Sequence, residues 1–377
     1  MTGAQTNTGT GGEEDFDLSP QEVAELTEAE AEAEAISYSG TDFDAEGLVR
    51  RLDRGDIVIP SFGHGDTTLE TAGFQRGFVW RRPQMDRFIE SLLLGYPIPG
   101  IMLVQQADKR YLVLDGQQRL RTLTHFYSGI YQGKEFALQN VADEFKDLTY
   151  RTLNPEQKRQ LDNTFIQATI VRTDSTPQSL EAVYQVFERL NSGGTQLTPH
   201  EIRIALYPGR LVDFLSELNS EPNWRSLYGA KSPRLRDQEL LLRILAMFIS
   251  ANDYERPLKK FLNKFLGEHR NLQGLDAVKL KRLFVGAAGL LLEARGRSAI
   301  RYQSTQVNTA LTEALFVGLM RRLEKDPELS SVAVAAALDA LSIRRDMAGA
   351  ISGGTATEDY VRTRISLATE AFAVGSH

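Results

Sequence analysis

The sequence predicts an α+β protein, in which a small mixed-sheet N-terminal domain is followed by an all-helical C-terminal domain. Between about residues 44 and 171, short apolar runs of strand length alternate with amphipathic segments of helical period. After Thr173 the strand-length runs fade, and apolar residues recur every three or four positions. We therefore predict a disordered acidic tail (1–43), a mixed-sheet domain (44–175) and a helical domain (176–377).

The predicted tail is set apart by its charge. Residues 1–49 contain 13 Asp and Glu and no Lys or Arg, which leaves 37 acidic and 43 basic residues in the rest of the chain. The stretch TEAEAEAEA favours a helix by propensity but lacks an apolar face wide enough to dock. We expect a solubilising tail, or an acidic arm that competes with nucleic acid for the mildly basic body.

The composition also limits the class of protein. The chain has no cysteine, which excludes disulfides, thiolate metal sites and a cysteine nucleophile. Its first residues lack a basic start and an apolar run of signal-peptide length, and no later segment approaches the roughly 18 apolar residues of a membrane span. We expect a cytoplasmic protein without a membrane partner.

Strands and helices are predicted to alternate in the mixed-sheet domain. Helices are expected for AEGLVRRLDRG, for PQMDRFIESLLLG with Pro83 in its first turn, and for QQRLRTLTHFYSG, which Gly129 ends. Strands are expected for IVIP, GIMLVQQ, RYLVLD and FIQATIV, and FQRGFVW is expected to be extended.

The C-terminal half shows helical periodicity without a repeat of solenoid length. Helices are predicted for SLEAVYQVFERLN, LVDFLSELN, DQELLLRILAMFIS, LDAVKLKRLFVGAAGLLLEA and VAVAAALDALSI. Thr198, Pro199 and Glu201 have the spacing of a capping box that opens a further helix.

The segment YLVLDGQQR carries the first candidate site. Asp115 stands where an apolar strand ends, and Gly116 permits a tight turn or a close approach to a ligand. The helix that follows would present free N–H groups to a phosphate, and Arg119 could bind the phosphate bidentately. Gln117 or Gln118 could orient a water molecule, and Asp115 could hold a metal ion or accept a proton. Alternatively, Asp115 only caps the helix.

Two more polar segments are candidates for the same site. In FQRGFVW, Gln75 and Arg76 precede Trp80, although an arginine beside aromatic rings is often only a surface stacking pair. In FERLNSGG, Arg189 and Asn191 stand at the end of a predicted helix, where the loop could wrap around an anion.

Together, the QRGFVW, DGQQR and FERLNSGG segments resemble the N-terminal domain of the GmrSD family of modification-dependent restriction systems. The three motifs occur in the family's order, and the resemblance covers roughly Leu48 to Arg203. It implies a core similar to ParB and sulfiredoxin, in which the DGQQR loop binds nucleotide. It also implies binding and hydrolysis of a nucleoside triphosphate with a divalent cation, here expected to be Mg²⁺, coupled to the cutting of modified phage DNA.

By that analogy, residues of this chain can be assigned to two groups, their individual roles being inferred from chemistry. The expected catalytic residues are Asp115, Gln117, Gln118 and Arg119, with Asp115 also the expected metal ligand. The expected nucleotide-binding residues are Gln75, Arg76, Gly116, Arg189 and Asn191. A carboxylate, amides and an arginine suffice for phosphoryl transfer, which demands mainly charge neutralisation and a positioned water.

One departure from the family concerns the nuclease. Many relatives carry a C-terminal His-Asn-His nuclease domain, which needs clustered histidines. The five histidines of this chain show no such spacing: His64, His125, His200, His269 and His377. We therefore expect DNA cleavage to come from a partner subunit or from an unrecognised site in the DGQQR domain.

Three functions remain open at this point. The first is a nucleotide-hydrolysing component of an anti-phage restriction system. The second is a nucleotide- or DNA-binding module without turnover that recruits a nuclease partner, and the third is a DNA nickase that uses the DGQQR pocket. The nickase ranks last because no second carboxylate at suitable spacing accompanies Asp115 for two-metal chemistry. Basic positions proposed to face DNA are Lys231, Arg234, Arg236, Lys259, Lys260, Lys264, Lys279, Lys281, Arg282, Arg295, Arg297 and Arg301.

Overall fold

The computed structural model divides into two compact units. It describes residues 36–59, 80–106, 108–174, 176–190 and 197–373. The division falls between Gln196 and Leu197, later in the chain than the predicted boundary at 175/176. The reason is that the helix Pro177–Leu190 contacts the strand Tyr111–Asp115 and therefore belongs to the first unit.

The first unit combines short strands with helices of two to four turns. In its described part these are β1 (Ser37–Asp44), α1 (Ala45–Asp53), β2 (Ile57–Val58), α2 (Arg82–Leu93), β3 (Ile101–Gln105), β4 (Tyr111–Asp115), α3 (Gln117–Ser128), β5 (Ile130–Tyr131), β6 (Lys134–Glu135), α4 (Pro155–Asp162), β7 (Phe165–Arg172) and α5 (Pro177–Leu190). A short 3₁₀ helix, Asp143–Phe145, precedes α4.

Five of these strands form one mixed sheet, in the order β1-β7-β3-β4-β2 among the described residues. The pairs β1/β7 and β3/β4 are antiparallel, whereas β7/β3 and β4/β2 are parallel. The pair β5/β6 forms a separate hairpin. The predicted α+β class with a small mixed sheet followed by helices is thus confirmed.

Strand β1 corrects the predicted extent of the acidic tail, because it begins at Ser37 rather than beyond residue 43. It pairs with β7 along its whole length, from Ser37 opposite Arg172 to Asp44 opposite Phe165. Most of its residues are exposed, so backbone hydrogen bonds to a single neighbour rather than apolar burial hold this edge strand. Residues 1–35, where disorder is predicted, lie outside the described residues.

The sheet is covered on both faces. Val113 in β4 belongs to a core that α1, α2 and α3 complete with side chains such as Leu48, Ile89 and Leu123. Because side chains alternate along a strand, the buried neighbours of Val113 face the other side, where α5 contacts β4. Burial on both faces explains why β4 reads as a continuous apolar run that ends abruptly at the exposed Asp115.

A buried carboxylate on α2 holds the loop that follows β6. Asp86 is fully buried, accepts a hydrogen bond from Arg82 Nε at 2.8 Å and accepts one from Asn140 Nδ2 at 2.7 Å. Arg82 also donates to the carbonyl of Ala137 and lies over the ring of Phe136. Asp86 is therefore a structural residue, since neutralised and hydrogen-bonded charges are the ones that interiors tolerate.

The second unit is helical throughout its described part, apart from one isolated bridge between Arg301 and Val307. Its helices are α6 (Pro199–Leu206), α7 (Arg210–Asn219), α8 (Pro222–Tyr228), α9 (Arg236–Ser250), α10 (Leu258–Glu268), α11 (Ala277–Arg295), α12 (Thr309–Lys325), α13 (Ser331–Ser342), α14 (Arg345–Ser352) and α15 (Glu358–Ala373). Short 3₁₀ helices cover Ala251–Asp253 and Gly296–Ile300. No helix in the part of the chain that the structure describes is long and apolar enough to cross a membrane.

The predicted capping box opens α6. The Thr198 hydroxyl accepts from the Glu201 backbone N–H, and Glu201 returns a bond to the Thr198 N–H at 2.7 Å. Arg234 Nη2 donates to the same Glu201 carboxylate at 3.0 Å. This buried pair makes the helix start a structural feature, as its sequence spacing predicts.

A second buried charge cluster joins α9, α12 and α15. Glu313 is fully buried and lies 3.1 Å from Arg243 Nε and 2.5 Å from Arg364 Nη2. Burial raises the pKa of Glu313, but the charges of Arg364 and Arg243 outweigh it and hold that pKa below its ordinary value. The carboxylate therefore stays ionised and neutralises two buried guanidinium groups.

Candidate functional site

The DGQQR segment forms a strand-to-helix turn. Asp115 is the last residue of β4, Gly116 makes the turn, and α3 begins at Gln117. Gly116 has φ +93° and ψ +9°, a left-handed conformation that glycine adopts without steric cost. A Cβ atom added there would lie 2.4 Å from Ile101 Cγ2. Both the backbone angle and the packing against β3 therefore require glycine.

Gly116→Ala is expected to destabilise the first unit by about 2 kcal/mol or more, because it combines backbone strain with overpacking. Chemical denaturation would measure this change. Gly133→Ala is the matched control, since Gly133 has φ +71° and open space around its position. Equal losses in the two variants would show that the contact with Ile101 does not constrain the turn.

The carboxylate of Asp115 pairs with Arg119 instead of capping the helix. Its Oδ2 lies 2.8 Å from Arg119 Nη2, and no side chain caps α3 at Gly116. The same Nη2 donates to the carbonyl of Gly100 at 2.8 Å. The capping alternative for Asp115 is therefore wrong, and no side chain in the described part of the chain caps the first turn of α3.

One hydrogen-bond donor of the Arg119 guanidinium group is not used by the described residues. Its side chain is 13% exposed, whereas that of Asp115 is 58% exposed. Its Nε atom is buried and has no hydrogen-bond partner among the residues that the structure describes. A buried donor without an acceptor is costly, so its presence beside an uncapped helix start favours an anionic ligand here.

The two glutamines flank this pair at the start of α3. Gln118 Oε1 accepts a long hydrogen bond of 3.4 Å from the backbone N–H of Trp80. Trp80 packs edge-on against Phe88 of α2, with ring centroids 5.4 Å apart. Gln117 is half-buried. The end of the QRGFVW segment thus lies next to DGQQR, as the shared-site hypothesis expects.

The remaining predicted nucleotide-binding residues are not assembled by the described structure. Gln75, Arg76 and Asn191 lie outside the described residues. Arg189 is exposed in the last turn of α5, and no hydrogen bond or ion pair joins it to DGQQR in the described part of the chain. Its assignment to the site stays a prediction.

A metal ion at this site would have one carboxylate from the described residues. Within the described ranges, no group of three or more His, Asp and Glu side chains could hold a metal ion. Mg²⁺ is commonly held by one or two carboxylates together with phosphate oxygens and water, and the exposed Asp115 fits that mode. It does not fit a metal site built from protein ligands alone.

Several basic residues proposed to face DNA are engaged within the second unit. Lys259 is 1% exposed, and Arg301 donates to the carbonyls of Leu227 and Tyr228. Ion pairs also engage Arg234, Lys279, Lys281 and Arg295. Lys260 and Lys264 are exposed one turn apart on α10 and remain suitable for phosphate contact. The cationic surface is therefore smaller than the sequence indicates.

Arg121, on the same helix, was not among the residues predicted from the sequence. Arg121 is half-buried, and its buried Nε atom has no hydrogen-bond partner among the described residues. The signal that could have revealed it is a basic residue placed between the apolar positions Leu120 and Leu123, four residues after Gln117.

A comparison with protein families matches the part of the chain that contains the three motifs. Residues 53–208 match the family model described as GmrSD restriction endonuclease, N-terminal domain. This segment is similar to the GmrSD-type N-terminal domain. The match contains the QRGFVW, DGQQR and FERLNSGG segments and confirms the resemblance read from them.

The GmrSD match begins at Asp53, the last residue of α1, and ends at Pro208, just after α6. Strand β1 therefore precedes the matched segment. No curated protein and no solved structure matches the chain. The likeness to ParB and sulfiredoxin accordingly stays a prediction.

Proposed function

We propose that this protein is the nucleotide-binding and nucleotide-hydrolysing component of a bacterial, modification-dependent anti-phage restriction system. The GmrSD-type domain over residues 53–208 supports a role in restriction. The observation that carries the nucleotide part is the buried Nε of Arg119, which has no hydrogen-bond partner within the described ranges, beside the start of α3, where Gly116 provides no side-chain cap. Together they make a small site that favours negative charge.

Each residue of the DGQQR segment has a role in this proposal. Gly116 lets the backbone approach the phosphates, and Arg119 neutralises their charge through Nε and the guanidinium edge. Gln117 and Gln118 offer amide groups that orient a water molecule. Asp115 positions Arg119 through their ion pair.

The exposed carboxylate of Asp115 would also hold Mg²⁺. When bound, the ion supplies charge neutralisation to the phosphate chain. The residues of the DGQQR segment contribute binding and orientation. We propose DNA as the second partner and a separate nuclease subunit as the source of cleavage.

The test is phosphate release from each of the four nucleoside triphosphates with Mg²⁺, with and without DNA. Wild-type protein is expected to release phosphate from at least one of them. Asp115→Ala is expected to lower the rate by at least about 100-fold, because it removes both the metal ligand and the partner of Arg119. Glu135→Ala, at an exposed position in the β5–β6 hairpin, is the control and should retain the wild-type rate.

Two results would contradict hydrolysis at this site. Phosphate release that survives Asp115→Ala would place the activity elsewhere or in a contaminant. Nucleotide binding without release, with or without DNA, would favour the alternative of a binding module that recruits its nuclease partner.

A further inference from the structure

The start of β3 lies directly against the DGQQR turn. The carbonyl oxygen of Gly100, the residue before β3, accepts a hydrogen bond from Arg119 Nη2 at 2.8 Å. Ile101 packs against the turn itself, since a Cβ atom built at Gly116 would lie 2.4 Å from the Ile101 Cγ2 atom. Two consecutive residues outside the DGQQR segment therefore contact its glycine and its arginine.

A β-bulge adjoins the same turn. Met102 lies opposite Asp115, whereas the next residue, Leu103, lies opposite Val113. Leu114 is therefore an extra residue on β4, and such a residue bends its strand and redirects the side chains that follow. The direction in which Asp115 leaves the sheet is thus set by the pairing of β3 with β4.

The position of Gly100 is fixed by β7. A Cβ atom built at Gly100 would lie 2.7 Å from the carbonyl oxygen of Gln167, which is too close for any side chain. The next residue, Ile101, pairs with Ala168 in the parallel ladder between β3 and β7. Glycine is therefore required for the approach of this backbone to β7, and the sheet determines where the Gly100 carbonyl lies.

The guanidinium of Arg119 is held at one atom by two acceptors. Its Nη2 donates to the Gly100 carbonyl and to Asp115 Oδ2, each at 2.8 Å, and lies 3.3 Å from a Cβ atom built at Gly116. The Asp115 side chain is 58% exposed, so water competes for its bond. The Gly100 carbonyl belongs to the backbone and has no side-chain rotamers, which makes it the more rigid of the two acceptors.

We propose that Gly100 is a positioning residue of the DGQQR site, whose backbone carbonyl orients the Arg119 guanidinium toward a phosphate group at the start of α3. This inference rests on the proposed function and adds to it a residue outside the three motifs. Gly100 acts through its lack of a side chain, which lets its carbonyl reach Arg119 while the backbone stays against β7. An arginine that is oriented before the ligand arrives loses less conformational freedom on binding, and the affinity is higher for that reason.

The test replaces Gly100 by alanine, which forces the backbone away from Gln167 and displaces the carbonyl. Titration calorimetry with inorganic triphosphate and with each of the four nucleoside triphosphates is expected to show binding about tenfold weaker than in wild type. Gly40→Ala is the control for a glycine replaced in the same sheet, since Gly40 lies in β1 with open space around its position. Asn154→Ala, which removes the N-cap of α4, is the control for lost stability. Both controls should keep the wild-type affinity.

A double-mutant cycle separates the orientation of Arg119 from general damage to the fold. If Gly100 acts through Arg119, Gly100→Ala should change the affinity of Arg119→Ala protein by less than about twofold. Equal losses in the two backgrounds, or unchanged affinity in folded Gly100→Ala, would refute the role of Gly100 and leave the proposed function standing. Failure of wild-type protein to bind any of these ligands would refute the proposed function together with the inference.

A measurement on protein with an intact Gly100 covers the case in which Gly100→Ala does not fold. Nitrogen-detected NMR without ligand should show restricted rotation of the Arg119 guanidinium about its Nε–Cζ bond, because two acceptors hold Nη2. Loss of the resonance in Arg119→Lys would assign it. Rotation should stay restricted in Asp115→Asn, in which the bond to Gly100 remains, and free rotation in that variant or in wild type would overturn the inference.

Discussion

Arg119→Ala is expected to weaken nucleotide binding roughly 10- to 100-fold, because each charge-assisted hydrogen bond to a phosphate contributes about 1.5–3 kcal/mol. The free energy of unfolding should fall by no more than about 2 kcal/mol, since one bond to the Gly100 carbonyl and a partly exposed ion pair are lost. Calorimetric titration with nucleotide and urea denaturation would measure the two quantities.

The matched control for this change is Arg110→Ala. Arg110 pairs with Asp108 at 2.7 Å in the turn between β3 and β4, and both side chains are about half exposed. The variant removes the same charge from the same unit, so its nucleotide affinity should equal that of wild type. Similar losses of affinity in both variants would indicate a nonspecific electrostatic effect, and a large loss of stability in Arg119→Ala would make Arg119 a structural residue.

Glu313→Ala is expected to lower the free energy of unfolding of the helical unit by about 3–5 kcal/mol, because it leaves two buried arginines without a counter-charge. Both arginines are buried like the carboxylate: Arg243 has 4% and Arg364 has 0% of its surface exposed. Chemical denaturation followed by circular dichroism would measure the loss. Glu324→Ala on the same helix is the control, since Glu324 forms an exposed pair with Lys279 that should contribute less than about 1 kcal/mol.

The same cluster predicts the sign of a pH effect. The pKa of Glu313 is lower in the folded protein than its ordinary value of 4.5, so its ionised form stabilises the fold fully above that pH. This contribution is lost as the pH falls through the folded-state pKa. Wild-type stability should therefore approach that of Glu313→Ala in acid, and a difference that stays constant down to low pH would contradict the assignment.

The strand, turn and helix at DGQQR were predictable because local rules agree there. An apolar run buried on both faces, a glycine and a polar helix start each have a distinct sequence signal. The capping box at Thr198 was predictable for the same reason, since its residues lie within one turn. Features set by neighbours in sequence were therefore accessible without a structure.

Features set by distant partners were not accessible. The stretch that forms β1 is polar, and only its pairing with β7, more than 120 residues away, makes Ser37–Asp44 a strand. Likewise, Arg119 was expected to face phosphate, but its contact with the Gly100 carbonyl depends on how β3 and β4 align. Lys259 was taken as a surface cation, yet the helical unit buries it.

The central claim, that a nucleoside triphosphate binds at the start of α3, can be tested directly by amide hydrogen exchange with and without Mg²⁺ and nucleotide. The backbone amides of residues 116–119 lie at the uncapped helix start, so bound phosphate should slow their exchange. In Arg119→Ala, that protection should be strongly reduced at the same nucleotide concentration. Nucleotide-induced protection confined to the helical unit, or none in either unit at saturating nucleotide, would contradict the account.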